Sequence, residues 1–278
     1  MILSGDYLID DFLSGNTSFI RGNSFEDTIE SVERFIIHEA GQPLGVMVIE
    51  APDELRSDVD KLSEKYSTLR ANRRTNHFVS KSLINGFITD IKLLYSKLVN
   101  YDAGDFFKND TNQLLTIVNY FDVFSPKLTP FSGLFDNYTR NIIPFNENNA
   151  VRITNSSLCD YDLKVDTSKF NFLLLNLGKN SINAIESRYK SLNGLIDVSV
   201  KKEGDFFVLR HRDNGCGMSN ELLAKLFKTS FSTNADSNLH GLGTLIIKDI
   251  VESHGGFIKA KSGLNAGTEI IVYLPNCL

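Results

Sequence analysis

Cysteine and tryptophan are scarce in this chain. It has no tryptophan and three cysteines, Cys159, Cys216 and Cys277, among 278 residues. The cysteines are odd in number, far apart and without metal-ligand spacing, which excludes a disulfide framework or a cysteine-based metal site as the basis of the fold. A reducing compartment is the simplest interpretation. With 42% hydrophobic residues, the chain can bury one large core or two ordinary ones without disulfides.

The sequence also lacks long apolar runs and an excess of basic residues. No apolar run approaches the ~20 residues of a membrane helix, and the N-terminal MILSGDYLIDD is acidic, unlike a signal peptide. The formal net charge is −5, so nothing indicates the basic patch or stripe that binds nucleic acid. We therefore expect a soluble, cytoplasmic protein with no membrane span and no nucleic-acid partner.

Residues 1–54 are predicted to form a small N-terminal regulatory or docking unit. SFEDTIESVERFIIHEAG can be capped by Ser24 or Asn23, has acidic residues in its first turn and is followed at its end by Gly41, which is the pattern of a helix. PLGVMVIEAP is predicted to be a buried strand that ends at Pro52. The unit is shorter than a usual sensor domain, and its sequence indicates no ligand.

Residues 55–140 are predicted to form a coiled coil and a helical hairpin. The apolar residues of its first part recur at spacings of 4, 3, 4 and 3, as in a heptad seam. One amphipathic helix packed on its own domain would show the same spacing, because the seam covers only about two heptads. The seam residues are Leu55, Val59, Leu62, Tyr66 and Leu69.

The helical pattern continues without a break, except Gly86, to Leu98. Turn-rich residues 100–110 follow, and then a second helix with Thr111 as its cap and Pro126 as its stop. Two antiparallel helices cannot bury both of their faces alone. We therefore expect a homodimer in which two copies form a four-helix bundle.

Residues 141–278 are predicted to form the third region, after a linker with Pro126, Pro130 and Pro144. Helical patterns occur in SKFNFLLLNLGKNSINAIESRY, ELLAKLF and GTLIIKDIVESHG, and strand hairpins in GLIDVSVKK with DFFVLRHR and in FIKAKSG with TEIIVYLP. The predicted fold class is α+β, with a long helical hairpin followed by an α/β sandwich of mixed sheet and helices.

A stripe of asparagines marks the first long helix of this region. In NLGKNSINA, Asn176, Asn180 and Ala184 are four residues apart and share one helix face, with Asn183 beside them. Buried amides are costly without partners, and a carboxamide oxygen is a suitable ligand for Mg²⁺. A helix end with satisfied asparagine side chains is the plain alternative.

Two glycine-containing loops follow the asparagine helix. In DNGCGM, Gly215 and Gly217 permit close backbone approach to a ligand, and Asp213 is an acceptor suited to an exocyclic amine. HGLGT opens a helix, where backbone N–H groups and the helix dipole favour a phosphate. Taken alone, each loop is equally a common turn.

The segment LFKTSFSTNADSN connects the two loops. It has aromatic anchors at Phe227 and Phe231 and a polar stretch behind them, which is the composition of a lid over a nucleotide. A surface loop would have the same composition.

The five features in this order resemble the ATP-binding domain of the GHKL superfamily, in its histidine-kinase branch, over residues 151–278. NLGKNSINA is similar to the asparagine box, DNGCGM to the first glycine box and LFKTSFST to the phenylalanine box. HGLGTLIIKDIVESHGG is similar to the second glycine box, and Gly267-Thr268 and the closing YLP also fit.

The resemblance implies ATP and Mg²⁺ as cofactors and a role for each motif residue. Asn180 would hold the metal, and Asp213 would bind the adenine amine. Asn176 stands where gyrase-like and chaperone members keep a glutamate base, which favours phosphoryl transfer over hydrolysis. The other residues implied to contact the nucleotide are Lys179, Asn183, Gly215, Gly217, Met218, Phe227, Gly241, Leu242, Gly243, Thr244 and Thr268.

Four positions depart from the family pattern. Leu239 stands where a glycine is usual, and Thr244 replaces an apolar residue. Asn234 replaces a lid lysine, and His211 occupies a strand position that is normally apolar. We expect these changes to affect ATP affinity or the lid and to leave the magnesium and adenine positions intact.

His77 is the candidate phosphoacceptor, because it is the one histidine on the predicted first long helix. HFVSKSL resembles the family's acceptor box in part. Phe78 stands where an acid normally polarises the imidazole, and Ser80 replaces a basic residue. A neighbouring carboxylate fixes the tautomer of a histidine nucleophile, so another acid would have to supply that role. A surface histidine is the plain alternative.

The sequence thus predicts a soluble protein histidine kinase that autophosphorylates and passes the phosphoryl group to an aspartate of a response regulator. A separate sensor protein is expected, because the chain has little room for a sensor domain. Two alternatives remain open. One is a degenerate GHKL protein that binds a signalling partner without phosphotransfer. The other is a GHKL ATPase, although such members continue into a further domain after the sheet, whereas this chain ends at Leu278.

Overall fold

The chain forms two compact units, residues 1–124 and residues 125–278. The computed structural model describes residues 36–37, 40–41, 43–74, 81–98, 105–119, 124–146, 151–188, 193–227 and 242–276. The predicted boundary after residue 54 lies inside the first unit, and the second unit begins at Ser125 rather than at residue 141. In the described part of the chain, no helix combines the length and apolar character that a bilayer span requires.

The first unit is helical. Helices α1 (Asp53–Arg74), α2 (Lys81–Leu98) and α3 (Asp105–Asn119) follow a helical stretch over residues 43–50. Helices α1 and α2 are antiparallel, since Lys97 near the end of α2 bonds Asp58 near the start of α1 at 2.7 Å, and Lys65 pairs with Asp90. The predicted continuous helix from Leu55 to Leu98 is therefore wrong. His77 lies outside the described residues.

The heptad-like stripe of α1 is buried within its own unit. Val59, Leu62 and Leu69 are completely buried, and Leu55 is nearly so. Tyr66, the fourth position of the stripe, is half-buried and donates a hydrogen bond of 2.8 Å to the carbonyl of Ile37. Because the stripe packs inside the chain, the structure favours the single amphipathic helix over the seam of an intermolecular coiled coil.

Residues 43–50 are helical, so the predicted strand there is wrong. Burial at Ala40, Leu44, Met47 and Ala51 follows the helical spacing of four, three and four residues. A short apolar run cannot by itself distinguish a buried strand from a buried helix. Gly41 is also helical and does not end a helix.

Helix α3 begins earlier than the sequence pattern predicts. It starts at Asp105, within the stretch expected to be turn-rich, and Thr111 lies inside it rather than at its cap. The Thr111 hydroxyl donates back to the carbonyl of Phe107 at 2.8 Å, which is a bond that a threonine in a helix interior makes. Thr111 is buried together with Phe107, Leu114 and Val118, which lie three or four residues apart and form one helix face.

The second unit is an α/β sandwich with a mixed sheet, as predicted. Its elements are β1 (Lys127–Pro130), α4 (Phe131–Ile142), a 3₁₀ turn (Ile143–Phe145), β2 (Val151–Asn155), β3 (Asp162–Val165), α5 (Thr167–Arg188), β4 (Gly194–Glu203), β5 (Phe206–Asp213), α6 (Asn220–Lys225), α7 (Leu242–Ser253), β6 (Phe257–Gly263) and β7 (Gly267–Pro275). The main sheet has the strand order β2-β4-β5-β7-β6, in which β2 and β4 are parallel and the other pairs antiparallel. Strand β1 pairs with β3 in a separate antiparallel ribbon.

The predicted proline-containing linker is instead a strand and a helix of this unit. Pro130 ends β1 and directly precedes α4, a position that suits proline because its missing N–H would have no helical partner. Phe131, Leu134, Tyr138 and Ile142 form the buried face of α4, which contacts α5. Pro126 directly precedes β1 and Pro144 lies within the 3₁₀ turn (Ile143–Phe145), so the three prolines lie in or next to regular elements rather than in a linker.

Candidate functional site

Asp213, the last residue of β5, is the polar centre of the candidate site. Its Oδ1 accepts hydrogen bonds from the N–H groups of Gly215 at 2.8 Å and Thr268 at 3.2 Å. Its Oδ2 accepts one from the hydroxyl of Ser181 on α5 at 2.9 Å. The side chain is buried, and burial raises the pKa of Asp213, while the three hydrogen bonds act in the opposite direction.

The hydrogen bonds of Asp213 leave acceptor capacity on one oxygen. An ionised carboxylate has about four lone-pair positions, two on each oxygen. Two donors occupy Oδ1 and one occupies Oδ2, so one position on Oδ2 remains. A ligand N–H donor, such as an exocyclic amine of a purine, has the chemistry to fill it.

The turn after Asp213 is pressed against α5. The N–H of Cys216 donates to the carbonyl of Ala184 at 2.9 Å, and Arg188 bonds the carbonyl of Asn214 at 2.7 Å. A Cβ on Gly215 would lie 2.7 Å from the carbonyl carbon of Ala184. Gly215 is thus required by its contact with the helix, whereas the sequence suggested approach to a ligand.

Gly217 and Met218 connect the same turn to β6. Gly217 has a φ of +66°, and a Cβ there would overlap the carbonyl of Gly263. The N–H of Met218 donates to the hydroxyl of Ser262 at 2.9 Å. The turn is therefore fixed on one side by α5 and on the other by β6.

The asparagine stripe has one buried and two exposed members. Asn176 is buried and donates from Nδ2 to the carbonyl of Phe172 at 2.9 Å. Asn180 and Asn183 are exposed, so their amides are accessible to solvent and to a ligand. Lys179 places its Nζ 4.5 Å from the centre of the Phe145 ring.

Helix α7 begins beside Asn176. A Cβ on Gly243 would lie 3.0 Å from Oδ1 of Asn176, so glycine allows the start of this helix to approach the asparagine closely. Leu242 is the first residue of α7, and Thr244 is half-buried in its first turn. The N-terminus of this 12-residue helix is suited to an anion. Gly241, Asn234 and Leu239 lie outside the described residues.

Phe227, the first aromatic anchor of the predicted lid, is the last residue of that segment that the structure describes. It follows α6, whose first turn is capped by Ser219, which accepts a hydrogen bond from the N–H of Leu222 at 3.3 Å. Its φ of +62° is unusual for a bulky residue. Phe231 and the polar stretch lie outside the described residues.

Sequence reasoning missed two serines of the site. Ser181 bonds Asp213 directly, and Ser262 bonds Met218 at the turn. Ser181 follows Asn180 within the asparagine motif, so its place in that motif was an available signal. Ser262 carries no comparable signal, since only the strand register brings it to this position.

The two described histidines are hydrogen-bonded inside the second unit. Nε2 of His211 lies 3.0 Å from the hydroxyl of Tyr138, and complete burial lowers the pKa of His211 to about 4. Nε2 of His254 accepts from the N–H of Asp166 at 2.9 Å, while its Nδ1 lies 2.6 Å from the carbonyl of Ile250. The unexpected His211 on a core strand is thus matched by Tyr138.

The donor set of the site fits ATP with Mg²⁺. Asp213 has an acceptor position that could take an N–H of the base, the N-terminus of α7 is of the kind that suits phosphate, and the exposed amide of Asn180 has an oxygen of the kind that Mg²⁺ prefers. Three sequence-predicted elements therefore meet at one end of the sheet: the asparagine helix, the turn after β5 and the start of α7.

Parts of the chain are similar to known proteins. Residues 165–277 match the model of the family "Histidine kinase-, DNA gyrase B-, and HSP90-like ATPase". The probable C4-dicarboxylate sensor kinase of Halalkalibacterium halodurans is 37% identical over 120 residues, which are 43% of this chain and 22% of that protein. Sensor histidine kinase ZraS of Klebsiella oxytoca is 38% identical over 114 residues, 41% of this chain and 23% of that protein.

A longer match extends over both units. Sporulation kinase B of Bacillus subtilis is 25% identical over 205 residues, which are 70% of this chain and 46% of that protein. The solved catalytic domain of histidine kinase ThkA has a TM-score of 0.46 at 20% identity, covering 54% of this chain and 95% of that chain. The chain spans less than half the length of these curated relatives.

Proposed function

We propose that this chain is an ATP-dependent protein histidine kinase, because residues 165–277 match the model of the histidine kinase-, DNA gyrase B- and HSP90-like ATPase family. The observation that carries the proposal is the convergence of Asp213, Asn176 and the start of α7 at one site. The similar proteins named as sensor histidine kinases support this branch of the family.

The base-binding part of the site consists of Asp213 and Thr268. Asp213 and Thr268 are paired across β5 and β7, so their side chains share one face of the sheet. We propose that Oδ2 of Asp213 accepts from the adenine amine. Gly217 and Met218 border this position, since their turn is attached to Ser262 on β6.

The phosphate-binding part consists of α7 and the asparagine face of α5. The backbone of residues 241–244 would donate to phosphate oxygens, and Lys179 and Asn183 lie on the same helix as the asparagine stripe. Asn180 would hold Mg²⁺. When bound there, Mg²⁺ would neutralise charge on the phosphate oxygens during transfer.

Asn176 favours phosphoryl transfer to a side chain over hydrolysis. A carboxamide does not take up a proton near neutral pH, so Asn176 cannot serve as the general base that activates water. Its Nδ2 is already engaged with the carbonyl of Phe172 at 2.9 Å. We propose instead that Asn176 holds the start of α7 in place next to the phosphates.

The proposed reaction transfers the γ-phosphoryl group of ATP to His77. A neutral ring nitrogen of His77 forms a bond to the γ-phosphorus, while the bond from that phosphorus to the β,γ-bridging oxygen breaks and ADP leaves. The ring then loses its N–H proton to solvent or to a nearby carboxylate, which acts as the base. Because Phe78 stands where the resemblance places an acid, that acid must come from another position.

The proposed partners follow from this activity. They are a response regulator, which receives the phosphoryl group on an aspartate, a second copy of the chain, and a separate sensor protein that docks on the first unit. The similar proteins named as sensor kinases support the response regulator and the second copy, and the separate sensor protein is proposed from the sequence alone. A cytoplasmic location is part of the same proposal.

The test is incubation of the full chain with Mg²⁺ and γ-labelled ATP, followed by acid and base treatment of the protein. Label that is lost in acid and retained in base would indicate phosphohistidine. Binding of ATP without label would favour the degenerate protein, and steady release of inorganic phosphate without label would favour an ATPase. The Asp213→Asn variant serves as the control for label that does not depend on the nucleotide site.

A further inference from the structure

Three polar side chains lie in one row across three strands of the sheet. Asp213 on β5 is paired with Thr268 on β7, and Thr268 is paired with Ser262 on β6. Residues directly opposite each other in neighbouring strands point to the same face of a sheet. The hydroxyl of Ser262 lies 3.1 Å from that of Thr268, and the N–H of Thr268 donates to Asp213.

The Ser262 hydroxyl donates its single proton to one defined acceptor, the carbonyl oxygen of Gly267. Oγ of Ser262 lies 2.8 Å from the carbonyl oxygen of Gly267, and two oxygens approach that closely only when one donates a proton to the other. A carbonyl oxygen has no proton to give, so Ser262 is the donor. Its oxygen can then only accept in its contact with the Thr268 hydroxyl, as it does from the N–H of Met218.

The Thr268 hydroxyl must therefore donate its own proton to Ser262. A threonine hydroxyl has one proton and two lone pairs. With the proton directed at Ser262, only lone pairs remain for a ligand. The ionised carboxylate of Asp213 is likewise an acceptor without a proton. Both side chains on this face thus present acceptors.

We infer that Ser262 is a specificity-determining positioning residue, which orients the Thr268 hydroxyl so that the site presents only acceptors to the C6 substituent of a purine. The inference rests on the proposed ATP site. The adenine C6 amine is a donor and matches two acceptors. The C6 oxygen of hypoxanthine or guanine is an acceptor. It would face the acceptor oxygens of Asp213 and Thr268 with no proton available for a hydrogen bond, which is costly in a partly buried site.

The probes are the magnesium complexes of ATP and ITP, because the two nucleotides share ribose and phosphates and differ at the base. Their dissociation constants are measured by calorimetry for the full chain and its variants. In Ser262→Ala, the Thr268 hydroxyl is free to turn its proton towards the ligand. We expect the preference for ATP over ITP to fall about tenfold, the effect of about one hydrogen bond.

Four further variants separate this role from a general loss of structure. Ser262→Thr keeps the hydroxyl, and we expect it to retain the wild-type preference. Thr268→Val removes the hydroxyl that Ser262 orients, so the preference should fall in this variant, and adding Ser262→Ala should lower it no further. Ser199→Ala is the matched control, because Ser199 lies on the opposite face of the sheet, between the buried Val198 and Val200.

The outcomes distinguish this inference from the proposed function. If wild type binds neither nucleotide, the proposed ATP site fails and the inference fails with it. If wild type prefers ATP and both Ser262→Ala and Thr268→Val keep that preference, the inference is overturned and the ATP site stands. If Ser262→Ala does not fold, the variants Ser262→Thr and Thr268→Val are compared instead. A preference for ATP over ITP that is retained in Ser262→Thr and reduced in Thr268→Val supports the inference. Any other pattern contradicts it.

Discussion

The hydroxyl of Tyr138 and Nε2 of His211 lie 3.0 Å apart inside the core of the second unit. Their rings meet edge to face, with centroids 5.8 Å apart. Burial, with a smaller contribution from the Asp213 carboxylate, raises the pKa of Tyr138, so its hydroxyl keeps its proton. The bond connects α4 to the strand that ends in Asp213, and thus connects the start of this unit to the candidate nucleotide site.

The Tyr138–His211 pair should make stability depend on acid pH. Burial lowers the pKa of His211 to about 4 in the folded protein, against 6.5 for an ordinary histidine. A lowered folded-state pKa gives stability that is present above pH 6.5 and is lost as the pH falls towards 4. Urea unfolding should show a loss on the order of 2 kcal/mol from His211 between pH 7 and pH 5.

The control is the double variant Tyr138→Phe/His211→Leu, which removes both polar groups together. It should lose most of this pH dependence. A smaller pH dependence should remain from His254, because burial also lowers the pKa of that histidine. If the unfolding free energy of the double variant depends on pH as strongly as that of the wild type, His211 does not titrate as its burial implies.

The single variant Tyr138→Phe should lower the unfolding free energy by about 1–3 kcal/mol at pH 7, because it leaves the buried Nε2 of His211 without its hydroxyl partner.

The Asp213→Asn variant should bind ATP about 10-fold to 100-fold more weakly, the value of a hydrogen bond to a charged group. The amide oxygen of the asparagine can still accept from the N–H groups of Gly215 and Thr268. In that orientation the NH₂ group of the asparagine takes the place of Oδ2. That NH₂ would face the donor amine of adenine. Calorimetric titration checks the affinity, and circular dichroism checks the fold; an unaltered affinity in a folded variant would refute the assignment.

Much of the candidate site could be predicted from the sequence, because its parts are local motifs. Asp213 with its glycine turn, the asparagine helix and the loop before α7 are each contiguous in sequence. Ser262 at the site and Tyr138, the core partner of His211, were not predicted, since strand register brings the first to Thr268 and helix packing brings the second to His211. No local pattern distinguishes such residues from other polar or aromatic residues.

The glycine at position 215 should be essential for the contact between the turn and α5. In Gly215→Ala, the new Cβ would meet the Ala184 carbonyl carbon at 2.7 Å, so the turn must move away from the helix. We expect a loss of about 1–3 kcal/mol in stability, typical of overpacking, together with weaker ATP binding because Asp213 moves. Chemical denaturation and calorimetry measure the two effects.

Gly133→Ala is the matched control for this prediction. Gly133 lies in α4, where the nearest atom to a new Cβ would be the Cγ of Pro130 at 4.0 Å, an ordinary contact. Alanine is favoured over glycine inside a helix by roughly 0.5–1 kcal/mol, so this variant should be slightly more stable than wild type. Equal losses in both variants would contradict the close-contact explanation for Gly215.

The helical unit shows why pattern alone was insufficient for α1. A 4-3-4-3 spacing indicates one apolar face and says nothing about which helix covers it. In the structure the unit itself buries this face, with Val59 and Leu62 fully inaccessible. The predicted strand over residues 43–52 failed for a related reason, since its apolar residues suit a helix face equally well.

Substitution at Leu62 distinguishes the two interpretations of α1. Leu62→Ala should cost about 2–5 kcal/mol, as for a fully buried leucine, and should leave the oligomeric state in light scattering unchanged. Leu93→Ala is the control, because Leu93 on α2 is half-exposed and should cost little. If Leu62→Ala instead converts a dimer into a folded monomer, the α1 stripe is an intermolecular seam.

The proposed phosphoacceptor gives the most specific prediction for the whole chain. His77→Gln or His77→Ala should abolish acid-labile phosphorylation and leave ATP binding intact. The reason is that the described nucleotide-site residues belong to the second unit, from Asn176 to Thr268, whereas His77 belongs to the first. Phosphoryl transfer depends mainly on positioning and charge neutralisation, so removing the acceptor nitrogen removes the product without changing the pocket.

The matched control for His77 is His38→Gln, which removes a different histidine of the first unit by the same substitution. It should retain acid-labile label, because the resemblance to the acceptor box is confined to HFVSKSL. Label that persists in His77→Gln and disappears in His38→Gln would show that His38 is the acceptor.

Phe78→Glu is a positive test of the same assignment. It restores the acid that the acceptor box normally has, and a carboxylate beside the imidazole should fix the tautomer of His77 and raise the initial rate of labelling. A rate that stays at the wild-type level in a folded Phe78→Glu variant would mean that another acid already serves His77.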